Sequence, residues 1–252
     1  VEPALFIEAG AFDAAASCRV SAALPACRVV AFEANPRNYA AWRIERDFDA
    51  HRVEYLNLAL ADRAGPVTFH LRSTVAGDES DWFEDNSILP RAGDVRHTDA
   101  DLVTVEATTL DEFTAAEAGR AAMWVDVEGA NREVLTGGSE FLRRCDVVTI
   151  EVEDVPLWRD QWLATDVLEA LLAAGLLPVA RDVQRMGQYN LVAVRDTALA
   201  RAEVLAAIEE FLRQQLRPEL PGPLGTLRRN DTARRMARTV RGLANRRSRR
   251  LA

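Results

Sequence analysis

Five short apolar runs punctuate the chain. Leu5-Phe6-Ile7 leads into Glu8-Ala9-Gly10, residues 28–32 end at Glu33, and residues 53–60 form a third run. Met123-Trp124-Val125 ends at Asp126, and residues 147–152 form the fifth. Continuous apolar runs of this length predict strands buried on both faces, as in a parallel sheet. Helical signals lie between them. Asn35-Pro36 offers a cap followed by proline at the first helical position, with Trp42 and Ile44 following on one side. A further helix is expected over 163–174, closed by Gly175. Residues 177–182 and 191–194 flank a turn containing Gly187 and predict an antiparallel pair. Leu205, Ile208, Leu212 and Leu216 mark a last amphipathic helix. Strands alternating with helices predict an α/β doubly wound domain with right-handed crossovers. Residues 72–100 break the pattern. They are polar, hold Trp82, Phe83, Asn86, Ser87 and Ile88, and are expected to form a long functional loop or lid.

Composition narrows the class. The 252 residues are 48% hydrophobic and 28% charged, enough for a sizeable core and for one domain or a little more. No apolar run approaches the roughly 20 residues of a membrane-spanning helix, and none reads as a signal peptide, although Val1 leaves room for a trimmed start. Cys18, Cys27 and Cys145 are scattered and form no CxxC, so free thiols in a reducing cytoplasm are expected. All 31 basic residues are Arg. Without Lys, amine nucleophiles and lysine-bearing phosphate loops are excluded.

Charge divides the chain. The formal net charge is −8, yet residues 225–252 carry +9 and residues 1–224 carry −17. The junction, residues 217–225, holds three Pro and two Gly and reads as a linker. The expected organisation is therefore a compact domain over 1–216, the linker, and an Arg-rich tail over 226–252. Asn230-Asp231 can cap a helix in that tail, with Met236, Val240 and Leu243 spaced i, i+4, i+7. Such a helix can lie on an anionic membrane, bind nucleic acid or dock on an acidic protein surface. The −17 body would repel phosphate backbones, so docking on itself or on a second copy is the simplest expectation.

Candidate chemistry starts at the first strand end, because ligands of open α/β sheets sit at the carboxyl ends of the strands. Glu33 ends the second strand 23 residues after Gly10. An acid at that distance suits ribose hydroxyls, whether of NAD or of S-adenosylmethionine (SAM). Phosphate separates the two. Counting from Gly10, a dinucleotide loop needs glycines where Phe12 and Ala15 stand, and Glu8 would repel a pyrophosphate. SAM carries an ammonium and a sulfonium instead, so acids near the turn are favourable.

Five segments, taken in order, resemble one family. They are Phe6-Ile7-Glu8-Ala9-Gly10-Ala11, Val30-Ala31-Phe32-Glu33-Ala34-Asn35-Pro36, Asn57-Leu58-Ala59-Leu60-Ala61-Asp62, Thr108-Thr109-Leu110-Asp111-Glu112-Phe113 and Val125-Asp126-Val127-Glu128-Gly129-Ala130. Their order and spacing are similar to those of the FkbM-type SAM-dependent methyltransferases, over roughly residues 4–195. The resemblance implies a class I methyltransferase fold: a mostly parallel, seven-stranded, Rossmann-like sheet whose last strand is antiparallel. It also implies O-methylation of sugar or natural-product hydroxyls. The implied cofactor set is Glu8, Gly10, Ala11, Asp13, Glu33, Ala34, Asn35, Ala59, Leu60 and Asp126. The family turn usually reads Asp-x-Gly-Ala-Asn-x-Gly; here Glu8 replaces the Asp, Phe12 the Asn and Ala14 the last Gly.

An alcohol acceptor must lose a proton. The fourth and fifth strands should be neighbours, and their ends carry Asp126, Glu128, Glu151, Glu153 and Asp154. Clustered carboxylates raise one another's pKa, which suits a base, or they collect a divalent cation such as Mg²⁺. Asp126 or Glu128 is the expected base, with Glu151 next, and Asp154 is expected at a solvated end. Of the histidines, His51 is expected at the surface and His70 in the core, while His97 falls in the long loop, from which it can reach a substrate. Trp82, Phe83, Trp158 and Trp162 are candidate stacking surfaces for a sugar or ring, Trp158 at the rim foremost, and core packing is an equal reading for Trp162. The alternatives are an NAD-type oxidoreductase and a non-enzymatic adaptor acting through the tail.

Overall fold

The computed structural model describes residues 2–72, 86–93, 99–182 and 187–215. The chain divides into two compact units, Val1–Glu209 and Glu210–Ala252. The expected linker, the tail helix and Leu216 lie outside the described residues, as do Trp82, Phe83 and His97.

The elements run β1 (Leu5–Ala9), α1 (Ala15–Ala23), β2 (Arg28–Phe32), α2 (Pro36–Glu45), β3 (Val53–Leu56), β4 (Ala59–Leu60), β5 (Gly65–Arg72) and β6 (Asp99–Thr108). Then come α3 (Leu110–Phe113), β7 (Ala121–Val125), α4 (Asn131–Thr136), α5 (Ser139–Leu142), β8 (Cys145–Glu153), α6 (Ala164–Ala173), β9 (Leu176–Arg181), β10 (Gln188–Arg195) and α7 (Ala202–Gln215). A seven-stranded sheet has the order β3-β2-β1-β7-β8-β10-β9. All its pairings are parallel except those of β10, which is antiparallel to both β8 and β9. This is the sheet the resemblance implies.

Burial explains why the central runs are continuously apolar. Leu5, Ile7, Val30, Met123, Val148 and Ile150 share one core cluster, which α6 joins through Val167 and Leu171. Phe6, Val29, Ala31, Val53 and Tyr55 share a second with Ala14 and Phe48. Alternate residues of β1 and β2 thus serve opposite faces of the sheet, and no position on them can be polar without cost.

One expectation is corrected. The run 53–60 is two strands, not one. Beyond Leu56 the Asn57 side-chain amide donates to the carbonyls of Glu33 (2.8 Å) and Ala34 (3.2 Å). There the chain leaves β2, and β4 joins a separate three-stranded sheet ordered β4-β6-β5. The 72–100 segment connects β5 to β6, an antiparallel pair with its own small core of Phe69, Leu71, Val105 and Ala107, and residues 73–85 and 94–98 of it lie outside the described residues. Residues 86–93 bind back onto the body: His70 and Ser87 form one antiparallel bridge, Arg91 and Trp158 another.

Candidate active site

The turn after β1 is built around one glycine. Gly10 has φ +76, and a Cβ there would lie 1.8 Å from the carbonyl oxygen of Asp126. The close approach follows from sheet order, because β1 and β7 are neighbours and the Asp126 N–H donates to the Ala9 carbonyl at 2.9 Å. The N–H groups of Gly10 and Ala11 both donate to the Phe32 carbonyl, at 3.0 and 2.8 Å. Phe12 and Ala14 follow in the left-handed region, with φ 47 and 49. Asn and Gly, which the resembled pattern places there, adopt it at lower cost. Three contacts hold Phe12 in place. Its N–H donates to Glu33 Oε2 at 2.7 Å, the Tyr55 hydroxyl donates to its carbonyl, and its ring meets Trp42 edge-on with centroids 5.6 Å apart.

Glu33 is buried beside that turn. Besides Phe12, it accepts from the Asn35 N–H through Oε1 at 2.7 Å and from the Asn38 side chain. Burial pushes its carboxyl up to about 7 against these hydrogen bonds, with a smaller contribution from nearby Glu8. A carboxylate has about four acceptor positions, so three donors leave capacity facing the cavity that Glu33 lines.

Several acids of the implied cofactor set serve the framework. Helix α1 starts at a left-handed Ala14 with no side-chain cap of its own. Glu8 supplies one from β1, accepting from the Ser17 N–H at 2.8 Å, and Asp13 accepts from the Ala15 N–H at 2.9 Å. Both carboxylates face the positive end of the helix dipole. Burial nonetheless raises Glu8 to about 7. Asp13 also pairs with Arg46 at 3.3 Å. Asn35 caps α2, accepting from the Arg37 N–H at 2.9 Å. Glu8, Ala11, Asp13 and Asn35 do not line the cavity; Gly10, Glu33, Ala34, Ala59, Leu60 and Asp126 do.

Three carboxylates meet at the ends of β7 and β8. Asp126 follows β7, Glu128 sits two residues on with φ 50, and Glu151 belongs to neighbouring β8. One oxygen from each lies within 4.8 Å of the others. Asp126 and Glu128 line the cavity, whereas Glu151 is buried behind them and accepts from Gln188 Nε2 at 2.6 Å. Asn131 Nδ2 donates to the Glu151 carbonyl at 2.8 Å, tying α4 to β8. Such a set can pass a proton among its members or hold a divalent cation. Glu153 is apart, accepting from Gln161 Nε2 at 3.1 Å, and Asp154 is exposed.

The remaining walls were not read from sequence. Phe12, Phe32, Asn38, Leu58, Phe69, Asn86, Ile88, Val127 and Ala130 complete the lining. Phe69, Asn86 and Ile88 arrive from the second sheet and the strap over it, so only the β5–β6 pairing places them. Asn38 had a signal in its spacing from Asn35, one turn into a helix that starts against Glu33. Trp158 is fully buried and offers no open face, contrary to expectation. It packs under Gly129 (φ +82), where a Cβ would lie 2.2 Å from Trp158 Cδ1, and the Arg91 guanidinium stacks 4.1 Å from its ring centroid. Trp162 packs against the core. His51 is exposed, and half-buried His70 donates its N–H to the Ser87 carbonyl.

The site is a cleft partly open to solvent, about 570 Å³ of empty space when the solvent at its mouth is counted. Among the described lining residues are three carboxylates and no Arg or His. That set fits a cationic, phosphate-free ligand with a ribose and leaves a pyrophosphate unneutralised. The fold and this site define a SAM-dependent methyltransferase of class I. Residues 8–177 match the model of the methyltransferase FkbM domain, and the chain belongs to that family. It is 28% identical over 176 residues to the 2-O-methyltransferase NoeI of Sinorhizobium fredii, covering 66% of this chain and 70% of that protein. Among solved structures, it is similar to the precorrin-6y C5,15-methyltransferase from Geobacter metallireducens GS-15 (TM-score 0.39, 14% identity, 77% of this chain and 81% of that one). It is also similar to LepI in complex with SAM (TM-score 0.38, 12% identity, 77% and 43%). The NAD-type and adaptor readings are thereby set aside in favour of methyl transfer.

Proposed function

We propose that this chain methylates a hydroxyl oxygen of a sugar or natural product, with the Asp126, Glu128 and Glu151 carboxylates receiving the hydroxyl proton. The observation that carries the reading is that carboxylate triad, two of whose members line the same cavity as Gly10 and Glu33. SAM, when bound, supplies a methyl group already activated by a sulfonium. The protein's tasks are to hold the donor, align the acceptor and take a proton. Gly10 lets the donor lie against backbone, Glu33 accepts from its ribose, and Ala34, Ala59 and Leu60 flank the base. Phe69, Asn86 and Ile88 shape the acceptor side. As the acceptor oxygen forms its bond to carbon and the sulfur–methyl bond breaks, the hydroxyl proton passes to Asp126 or Glu128. Glu151, held by Gln188 at 2.6 Å, completes the carboxylate cluster behind them. The relative's name, a 2-O-methyltransferase, supports oxygen as the acceptor atom.

The test is a screen for release of S-adenosylhomocysteine (SAH) from SAM with glycosylated small molecules as acceptors, run with Mg²⁺ and with a chelator. Turnover with a hydroxyl acceptor, unchanged by the chelator, is expected. Turnover abolished by the chelator and restored by Mg²⁺ would assign the triad to a cation instead of the proton. Methylation found only at nitrogen or carbon would overturn the reading.

A further inference from the structure

We propose that Asn38 is the positioning residue for Glu33, its side-chain amide fixing which edge of that carboxylate is presented to the ribose; this rests on Glu33 being the ribose-binding group. Asn38 is the buried residue of α2, a helix otherwise half-buried or exposed, and it lines the same cavity as Glu33. The other two donors to Glu33 are backbone groups, Phe12 N–H and Asn35 N–H at 2.7 Å each. They belong to the turn after β1 and the cap of α2, and they bond one oxygen of the carboxylate each, Phe12 to Oε2 and Asn35 to Oε1. Asn38, three residues past the cap, supplies a third donor one helical turn deeper. Three donors converging from different directions admit one orientation of a planar carboxylate. The remaining acceptor position then faces the cavity, where a ribose hydroxyl can donate.

The electrostatics agree with this assignment. Burial works against the Glu33 charge, and the Asn38 hydrogen bond is one of the interactions that favour it. The titratable groups around it are Glu8 on β1, Tyr55 on β3 and Asp13 in the turn, with Asp126 and Glu128 lining the same cavity. Arg46 pairs with Asp13 of the turn, and the interactions that favour the Glu33 charge are its hydrogen bonds from Asn35, Phe12 and Asn38.

The experiment is calorimetric titration of SAH into the full chain and into Glu33→Gln, Asn38→Leu, Asn38→Asp and the Glu33→Gln/Asn38→Leu double variant, each checked for folding by thermal melting. Asn38→Leu should weaken SAH about 10-fold, as expected for losing one hydrogen bond to a charged group. The pH above which affinity is full should move upward. The double variant should bind no more weakly than Glu33→Gln alone, because Asn38 acts through that carboxylate. Asn38→Asp, nearly the same shape but with an acceptor facing Glu33, should weaken SAH at least as much as Asn38→Leu and serves if the leucine does not fold. Additive losses in the double variant, or an Asn38→Asp protein that binds like the wild type, would overturn the proposal. A Glu33→Gln protein with unchanged SAH affinity would instead remove the ribose reading on which it rests.

Discussion

The Glu8 carboxylate, on β1, accepts a hydrogen bond from the Ser17 N–H of α1 at 2.8 Å. A buried strand acid thus caps a helix whose own first residues provide no side-chain cap. Its carboxyl sits at about 7, raised by burial. The sign follows directly. A carboxyl whose folded pKa lies above its unfolded value of 4.5 holds more protons in the folded state between those two pH values. Folding stability from Glu8 is therefore full below about pH 4.5 and falls as pH rises to about 7. Glu33, also at about 7, acts in the same direction. Glu8→Gln should flatten the decline of melting temperature between pH 5 and pH 7.5 relative to wild type. An unchanged slope would show that Glu8 is not the buried group that titrates.

Gly10→Ala places a methyl group 1.8 Å from the Asp126 carbonyl in a left-handed backbone. The conformation alone costs about 1–2 kcal/mol, and the overlap must push β1 and β7 apart. Melting temperature should fall by several degrees, and SAH affinity, measured by calorimetry, should fall more than 10-fold. A variant that binds SAH like wild type would separate the turn from the donor site.

Asp126→Asn and Glu128→Gln should slow methyl transfer by about 10²–10⁴-fold while leaving SAH affinity within a few-fold. Glu151→Gln should have a smaller effect, because Glu151 stands behind the cavity lining. Single-turnover rates with a chosen hydroxyl acceptor separate these outcomes. Equal losses of rate and of SAH affinity would assign the acids to donor binding.

Trp158→Ala should cost about 3–5 kcal/mol of stability, as for a large buried side chain, and Trp158→Phe much less. The ring fills the space under Gly129 and carries the stacked Arg91, so its loss also frees the 86–93 strap. Chemical denaturation gives the stability change. Proteolysis between β5 and β6 should accelerate in the alanine variant if the stack anchors the strap.

Local sequence determined the main sheet and one side of the site. The apolar runs at β1, β2, β7 and β8 are continuous because both faces are buried, and Asn35-Pro36 starts α2 through a cap that residues one and two positions apart complete. Gly10 was legible because close backbone approach demands glycine at a fixed place, and Glu33 lines the cavity at the strand end where the sequence placed it. Tertiary structure decided the rest. Glu8 and Glu33 are both acids near one turn; only packing made the first a helix cap and set the second in the lining of the cavity. The break between β3 and β4 falls where Asn57 reaches carbonyls more than 20 residues away, and the wall of Phe69, Asn86 and Ile88 depends on β5 pairing with β6. Residue type and spacing specify contacts made within a few positions of the chain. Which long-range partner a side chain meets is set by how sheets and helices stack, and that is where the wall of Phe69, Asn86 and Ile88 is formed.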